Sequence, residues 1–172
     1  DEEFIKSKKN TEQKSDRVWS HKAAKLIHIK CQGKPGVVSE VNKPAKEICP
    51  RLYDLTSLQR DANGRFGFSA KMTLGLAQAL YEKHKVLTYP RTDSRALPED
   101  YISTVKDSLG EMKDSQYGVF ASKILKSDWV KPNKRIFNNA KISDHFAIIP
   151  TAFKPKRLNE AEQKLYDLVT KR

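Results

Sequence analysis

Cysteine is nearly absent from these 172 residues: Cys31 and Cys49 are the only two, and neither stands in a metal-ligand spacing. A disulfide framework and a zinc site are therefore not expected, and reduced thiols in a cytoplasmic protein are the default. Long apolar runs are missing as well. None approaches the ~18 residues of a membrane span, and no signal-peptide core is visible. No segment repeats. Acid is scarce relative to base: 33 Lys and Arg against 21 Asp and Glu leave a formal charge of +12, with a pI near 9.7. That surplus calls for a partner rich in phosphate, although ribosomal, membrane-surface and heparin-binding proteins share it. The length suits one domain or two small ones with a real core. Asp1 stands where an initiator Met would, so the chain reads as a piece of a longer polypeptide.

What is there changes character along the chain. Residues 1–17 are charged and polar and read as a surface or poorly ordered lead-in. From Lys25 to Ile48 the pattern is strand-like, with Leu26, Ile27, Ile29, Val37, Val38 and Val41 broken by a turn at Gly33-Lys34-Pro35-Gly36. From Thr56 the period turns helical. Thr56-Ser57-Leu58-Gln59 reads as a capping box for a short helix to about Asn63, stopped by Gly64. Ser69 caps a longer helix to about Lys85, with Met72, Leu76, Ala77 and Leu80 on its buried face; His84, near its end, suits the helix dipole and needs no other role. Pro98-Glu99-Asp100 opens a helix buried through Ile102, Val105 and Leu109 and ended by Gly110. Val119 to Lys126 is another helix, and Asn159-Glu160-Ala161-Glu162 caps a last one through Leu165, Leu168 and Val169.

The second of these helices runs directly into Leu87-Thr88-Tyr89-Pro90-Arg91-Thr92-Asp93-Ser94. Pro90 fixes its own φ and pushes Tyr89 toward an extended conformation. In an extended segment Tyr89 and Arg91 point to the same side. A nucleophile and a phosphate clamp on one face is what a tyrosine that attacks a phosphodiester needs. A phenol titrates near ~10 and is a modest nucleophile at neutral pH, but phenolate leaves far more readily than an alkoxide. A phosphotyrosine link can therefore be resealed without ATP. The plain alternative is a core tyrosine followed by a surface turn.

This run resembles the active-site signature of type IA DNA topoisomerases, whose nucleophile is the tyrosine of a Thr-Tyr-X-Arg-Thr-Asp-Ser stretch. Upstream, Arg51 to Arg60, Phe66-Gly67-Phe68-Ser69-Ala70 and Ala77-Gln78-Ala79-Leu80-Tyr81-Glu82 are similar to the family's approach to it. Downstream, Asp144-His145-Phe146-Ala147-Ile148-Ile149-Pro150-Thr151 resembles the family's second signature. Pro90 and the Ile-Ile-Pro-Thr run look like topoisomerase III, and Asp93-Ser94 suggests a bacterial, archaeal or mobile-element source.

The resemblance implies an α+β arrangement: a β segment of a hinge or arch domain over residues 1–55, a mainly helical tyrosine-bearing domain over 56–156, and a return toward the hinge over 157–172. It implies single-stranded DNA as substrate, cleaved through a 5′-phosphotyrosine at Tyr89, a strand passed and the cut religated. Arg91 would grip the scissile phosphate with its bidentate fork. His145 would donate to the phosphate or orient the site. Asp93 has two readings, a bond to Arg91 or the sugar-phosphate, and a turn-stabilising role. Thr88 and Thr92 are suited to phosphate or to the local backbone. Arg60 and Arg95, with Arg65, Lys71 and the cations at 154, 156 and 157, are candidate phosphate contacts, against the plainer reading of solvated faces. Tyr53, Phe66 and Phe68 could stack bases or, more simply, pack the core.

The family also uses Mg²⁺ held by a Toprim domain, and no Asp-X-Asp-X-Asp/Glu pattern occurs in these residues. By itself this stretch is expected to bind DNA weakly and cleave nothing. A helicase and a single-strand-binding protein are the partners the resemblance suggests, with a cytoplasmic, nucleoid-associated location and no membrane. The alternative reading is a non-catalytic basic nucleic-acid-binding module whose tyrosine is structural.

Overall fold

A computed structural model describes residues 17–45 and 47–172. The charged lead-in expected over 1–17 therefore lies outside the described residues, Arg17 excepted. The chain forms two compact units, Asp1–Lys46 and Glu47–Arg172.

In the first unit the strand-like stretch begins as a helix, α1 (His21–Cys31). Ser20 caps it, its side chain accepting from the Ala23 N–H, and a turn at Gly33 (φ 72°) follows. The expected β segment is corrected accordingly. Leu26, Ile27 and Ile29 mix adjacent and alternate spacings, so they fit either period. Ala23-Ala24-Lys25 behind a serine cap favours the helix. A lone strand would need a ladder partner, and no strand occurs among the described residues. Nothing on α1 is buried, and Val37 is 100 % exposed.

The second unit is mainly helical. α2 (Leu55–Phe66) is capped by Asp54, whose carboxylate accepts from Ser57 N at 2.7 Å while Ser57 Oγ accepts from Asp54 N. The box thus sits two residues before the expected Thr56, and Gly67 in the left-handed region (φ 70°) ends the helix rather than Gly64. Aspartate caps more strongly than threonine, and Gly67 supplies the dihedral the stop requires. α3 (Ala70–Glu82) is capped by Ser69 as expected. Its buried face is Thr73, Ala77 and Leu80; Met72 is 43 % exposed, one position off the stripe.

A 3₁₀ turn (Glu99–Tyr101) feeds α4 (Ile102–Glu111), which runs through Gly110 instead of stopping there. α5 (Gly118–Lys126) packs on α4. Tyr117 at its entry donates to Asp167; burial first, and then this bond, push the phenol up. α6 (Glu160–Thr170) carries the expected box at Asn159. It packs on α2 and α3, so residues 157–172 belong to the same unit as the tyrosine.

Two apolar clusters result. One lies among α2, α3 and α6, around Leu58, Ala77, Leu80 and Leu165. The other joins Leu97, Phe137, Ala147 and Ile149 to α4. Tyr53 and Phe68 are core residues, with Phe66 packed against them. Burial and the hydrogen bond from Tyr53 Oη to Asp61 raise that phenol to about 12. Instead of a sheet there are isolated bridges, Tyr53 with Ile148, Leu87 with Pro150 and Leu97 with Phe137.

Candidate active site

After α3 the chain turns sharply. Val86 N donates to Leu80 O at 2.9 Å, and Lys85 takes a left-handed φ of 60°. The returning segment then lies antiparallel to residues 147–151. Thr88 N donates to Ile149 O at 3.0 Å and Thr151 N to Val86 O at 3.0 Å. On its other side the 147–150 stretch meets Tyr53, Ile148 N donating to Tyr53 O at 2.8 Å. The two signature runs, far apart in sequence, are thus laced together by backbone bonds.

The small hydroxyls tighten this lacing. Thr88 Oγ1 donates to Ala147 O at 3.0 Å and accepts from Ile149 N at 2.9 Å. Thr92 Oγ1 donates to His145 O at 3.0 Å and accepts from Ser94 N. Ser94 Oγ donates to Lys141 O at 2.8 Å. All three are buried. Their hydroxyls are committed to the local backbone, the plainer of the two readings for Thr88 and Thr92.

Tyr89 is half-buried between two rings. The His145 ring lies 4.2 Å away at 42°, and the Tyr81 ring 5.4 Å away at 81°, edge-on. Among the described residues the Tyr89 hydroxyl makes no hydrogen bond, and the exposed Arg91 guanidinium has neither hydrogen bond nor ion pair. Asp93 is exposed and accepts from Ser143 Oγ at 3.3 Å. Arg95 is half-buried, its Nε donating to Leu52 O at 3.1 Å, so it braces the backbone. Arg60 is exposed on α2 and shares no bond with the Tyr89 loop. The fold therefore brings Tyr89 and His145 into ring contact and ties Thr88 and Thr92 to the His145–Ile149 stretch, whereas Asp93 is bonded to Ser143.

Sequence reasoning missed one partner of this site, Tyr81, and one buried contact outside it, at His84. Tyr81 was legible only as part of a family block. His84, set aside as a helix-end residue, is buried against Glu162 at 3.3 Å. Neither carries a local sign of its partner.

Mg²⁺ finds no cage here. Among the described residues no group of three or more His, Cys, Asp or Glu converges. Asp93 is the carboxylate of the Tyr89 loop, and Asp54 is engaged in its cap. These residues do not fit a resident divalent ion.

Among the described residues, then, a hydroxyl without a hydrogen bond lies on a ring beside an imidazole and is followed by an arginine without an ion pair. The sequence model of the DNA topoisomerase family matches residues 2–172. The chain belongs to the DNA topoisomerase family. It is 54 % identical over 144 residues to DNA topoisomerase 3 of Bacillus licheniformis, an alignment covering 82 % of this chain and 20 % of that protein. DNA topoisomerase 3 of Bacillus subtilis is 48 % identical over 163 residues, 92 % of this chain and 22 % of the relative. That of Bacillus cereus is 49 % identical over 138 residues, covering 79 % and 19 %. The type IA, topoisomerase III-like resemblance of the motifs is borne out. The chain spans about a fifth of the length of these relatives. No helix among the described residues is long and apolar enough to cross a membrane.

Proposed function

We propose that Tyr89 is the nucleophile of a DNA strand-passage reaction on single-stranded DNA. Its phenol oxygen bonds to the scissile phosphorus while the bond to the 3′ oxygen breaks; the phenol proton ends on that 3′ oxygen, leaving a 5′-phosphotyrosine. Religation runs the same step backward and needs no ATP. Arg91 holds two non-bridging oxygens of the phosphate with its fork. His145, in ring contact with Tyr89, orients the phenol or donates to the phosphate. Asp93, through Ser143, steadies the loop.

The observation that carries this reading is the Tyr89 ring held against His145, its hydroxyl without a hydrogen bond among the described residues. Arg91 and the +12 balance supply the charge for phosphate. Arg60, Arg65 and Lys71, exposed and without ion pairs among the described residues, are further phosphate contacts. The Mg²⁺ that the family implies belongs to a Toprim domain outside these residues, and residues 157–172 start the return toward a hinge domain. A helicase and a single-strand-binding protein are proposed as partners, at the nucleoid. The test is to trap the covalent intermediate on labelled single-stranded DNA in the full-length protein. Tyr89→Phe should abolish the adduct and spare binding; an adduct that persists sinks the assignment.

A further inference from the structure

We propose that Tyr81 is a positioning residue that aims the Tyr89 phenol, an inference that rests on Tyr89 being the nucleophile. A buried tyrosine is ordinarily oriented by the hydrogen bond of its hydroxyl. Tyr53 follows that rule through Asp61, and Tyr117 through Asp167. Tyr89 does not, because its hydroxyl has no hydrogen bond among the described residues. The direction of its ring is set by what touches the ring, and two rings do. The Tyr81 contact has the geometry of an aromatic pair that gains from edge-to-face alignment, at 5.4 Å and 81°.

Tyr81 is well placed to act as a fixed stop. It sits in the last turn of α3, whose Ala77 and Leu80 are fully buried. The left-handed Lys85 returns the chain so that residue 89 comes back beside residue 81. Lys85 Nζ stands 5.8 Å from the Tyr81 ring centre. The Tyr81 hydroxyl has no hydrogen bond among the described residues, so its role lies in the ring. His145 supplies the other ring contact, at 4.2 Å. Holding a nucleophile near its attack geometry accelerates the step without changing how tightly the substrate binds.

The experiment compares Tyr81→Phe and Tyr81→Leu in the full-length protein, by single-turnover adduct formation and by affinity for labelled single-stranded DNA. Tyr81→Leu should slow adduct formation about threefold to tenfold, the range an aromatic pair of ordinary strength implies, with affinity unchanged. Tyr81→Phe should stay within about twofold of the parent on the same scale. In the 172-residue chain with ring-labelled tyrosine, Leu should move the Tyr89 ring resonances while the α3 amide resonances hold. A Leu variant at the parental rate overturns the proposal, and so does a Phe variant as slow as Leu. If Leu unfolds the chain, Tyr81→Met, flexible enough to refill the space, takes its place with the same expectation. Failure of the nucleophile assignment reads differently, as an adduct surviving in Tyr89→Phe.

Discussion

His84 Nε2 and Glu162 Oε1 lie 3.3 Å apart, and both side chains are only 8 % exposed. The same carboxylate accepts from Asn159 N at 2.9 Å through its other oxygen. One buried group therefore closes the N-terminus of α6 and holds the end of α3, three residues before the chain enters the tyrosine segment. Removing either partner strands a polar group away from water.

Acid should loosen this joint first. The Asn159 backbone N–H, then the His84 contact, hold the Glu162 carboxyl below its ordinary 4.5, against the opposing effect of burial. A carboxyl depressed in the folded state stabilises it above the unfolded value, and that contribution is lost as pH falls through the folded value. Thermal midpoints should thus decline as pH drops below about 4.5. Glu162→Gln, which keeps the hydrogen bond but not the charge, should flatten part of that decline. An unchanged pH profile in the Gln variant would place the acid sensitivity elsewhere.

Thr88 joins the two signature segments through a hydroxyl that both donates and accepts. Thr88→Val keeps the shape and orphans Ala147 O and Ile149 N. The expected loss is about 1–3 kcal/mol in urea unfolding, with Thr88→Ser recovering most of it. Equal stability of Val and Thr would show that water satisfies those groups.

Two glycines should respond in opposite directions. A Cβ on Gly118 would come within 2.0 Å of Lys113 O, backbone that cannot swing aside, so Gly118→Ala should cost about 1–3 kcal/mol or more. Gly64 lies inside α2 with nothing within 4 Å of its Cβ direction. Gly64→Ala should stabilise by about 0.5–1 kcal/mol through helix propensity. Chemical denaturation of the two variants checks the signs, and a reversal at either position contradicts the local geometry.

The helices were legible where a strong cap met a clear period, as at Ser69 and Asn159. They were misjudged at Thr56, because the stronger Asp54 cap two residues earlier takes the start of the helix. The first unit misled for a different reason: Leu26, Ile27 and Ile29 satisfy either period, and what decides is whether a partner strand is present. The site was legible as motifs but not as geometry. Nothing local says that Tyr81 meets Tyr89, because an eight-residue excursion through a left-handed Lys85 lies between them. His84 and Glu162, 78 positions apart, are joined only by the packing of α3 on α6.

Arg91 separates charge from shape. It is exposed, with neither hydrogen bond nor ion pair among the described residues, whereas Lys106, Lys134, Lys164 and Lys171 are engaged by carboxylates. A cation without a competing carboxylate can neutralise a phosphate without first breaking a bond. Arg91→Ala should therefore lower the slope of log K against log salt for single-stranded DNA by about 0.7, the value of one phosphate contact. Arg91→Lys should leave that slope unchanged, because the charge is kept. It should still slow single-turnover cleavage, since a point charge cannot reproduce the planar fork on two oxygens at once. A loss of about 1–3 kcal/mol, roughly fivefold to 150-fold in rate, is the scale of a hydrogen bond to a charged group. Parental rates with Lys at position 91 would make Arg91 a steering charge outside the transition state, and an unaltered slope with Ala would remove it from the phosphate path altogether.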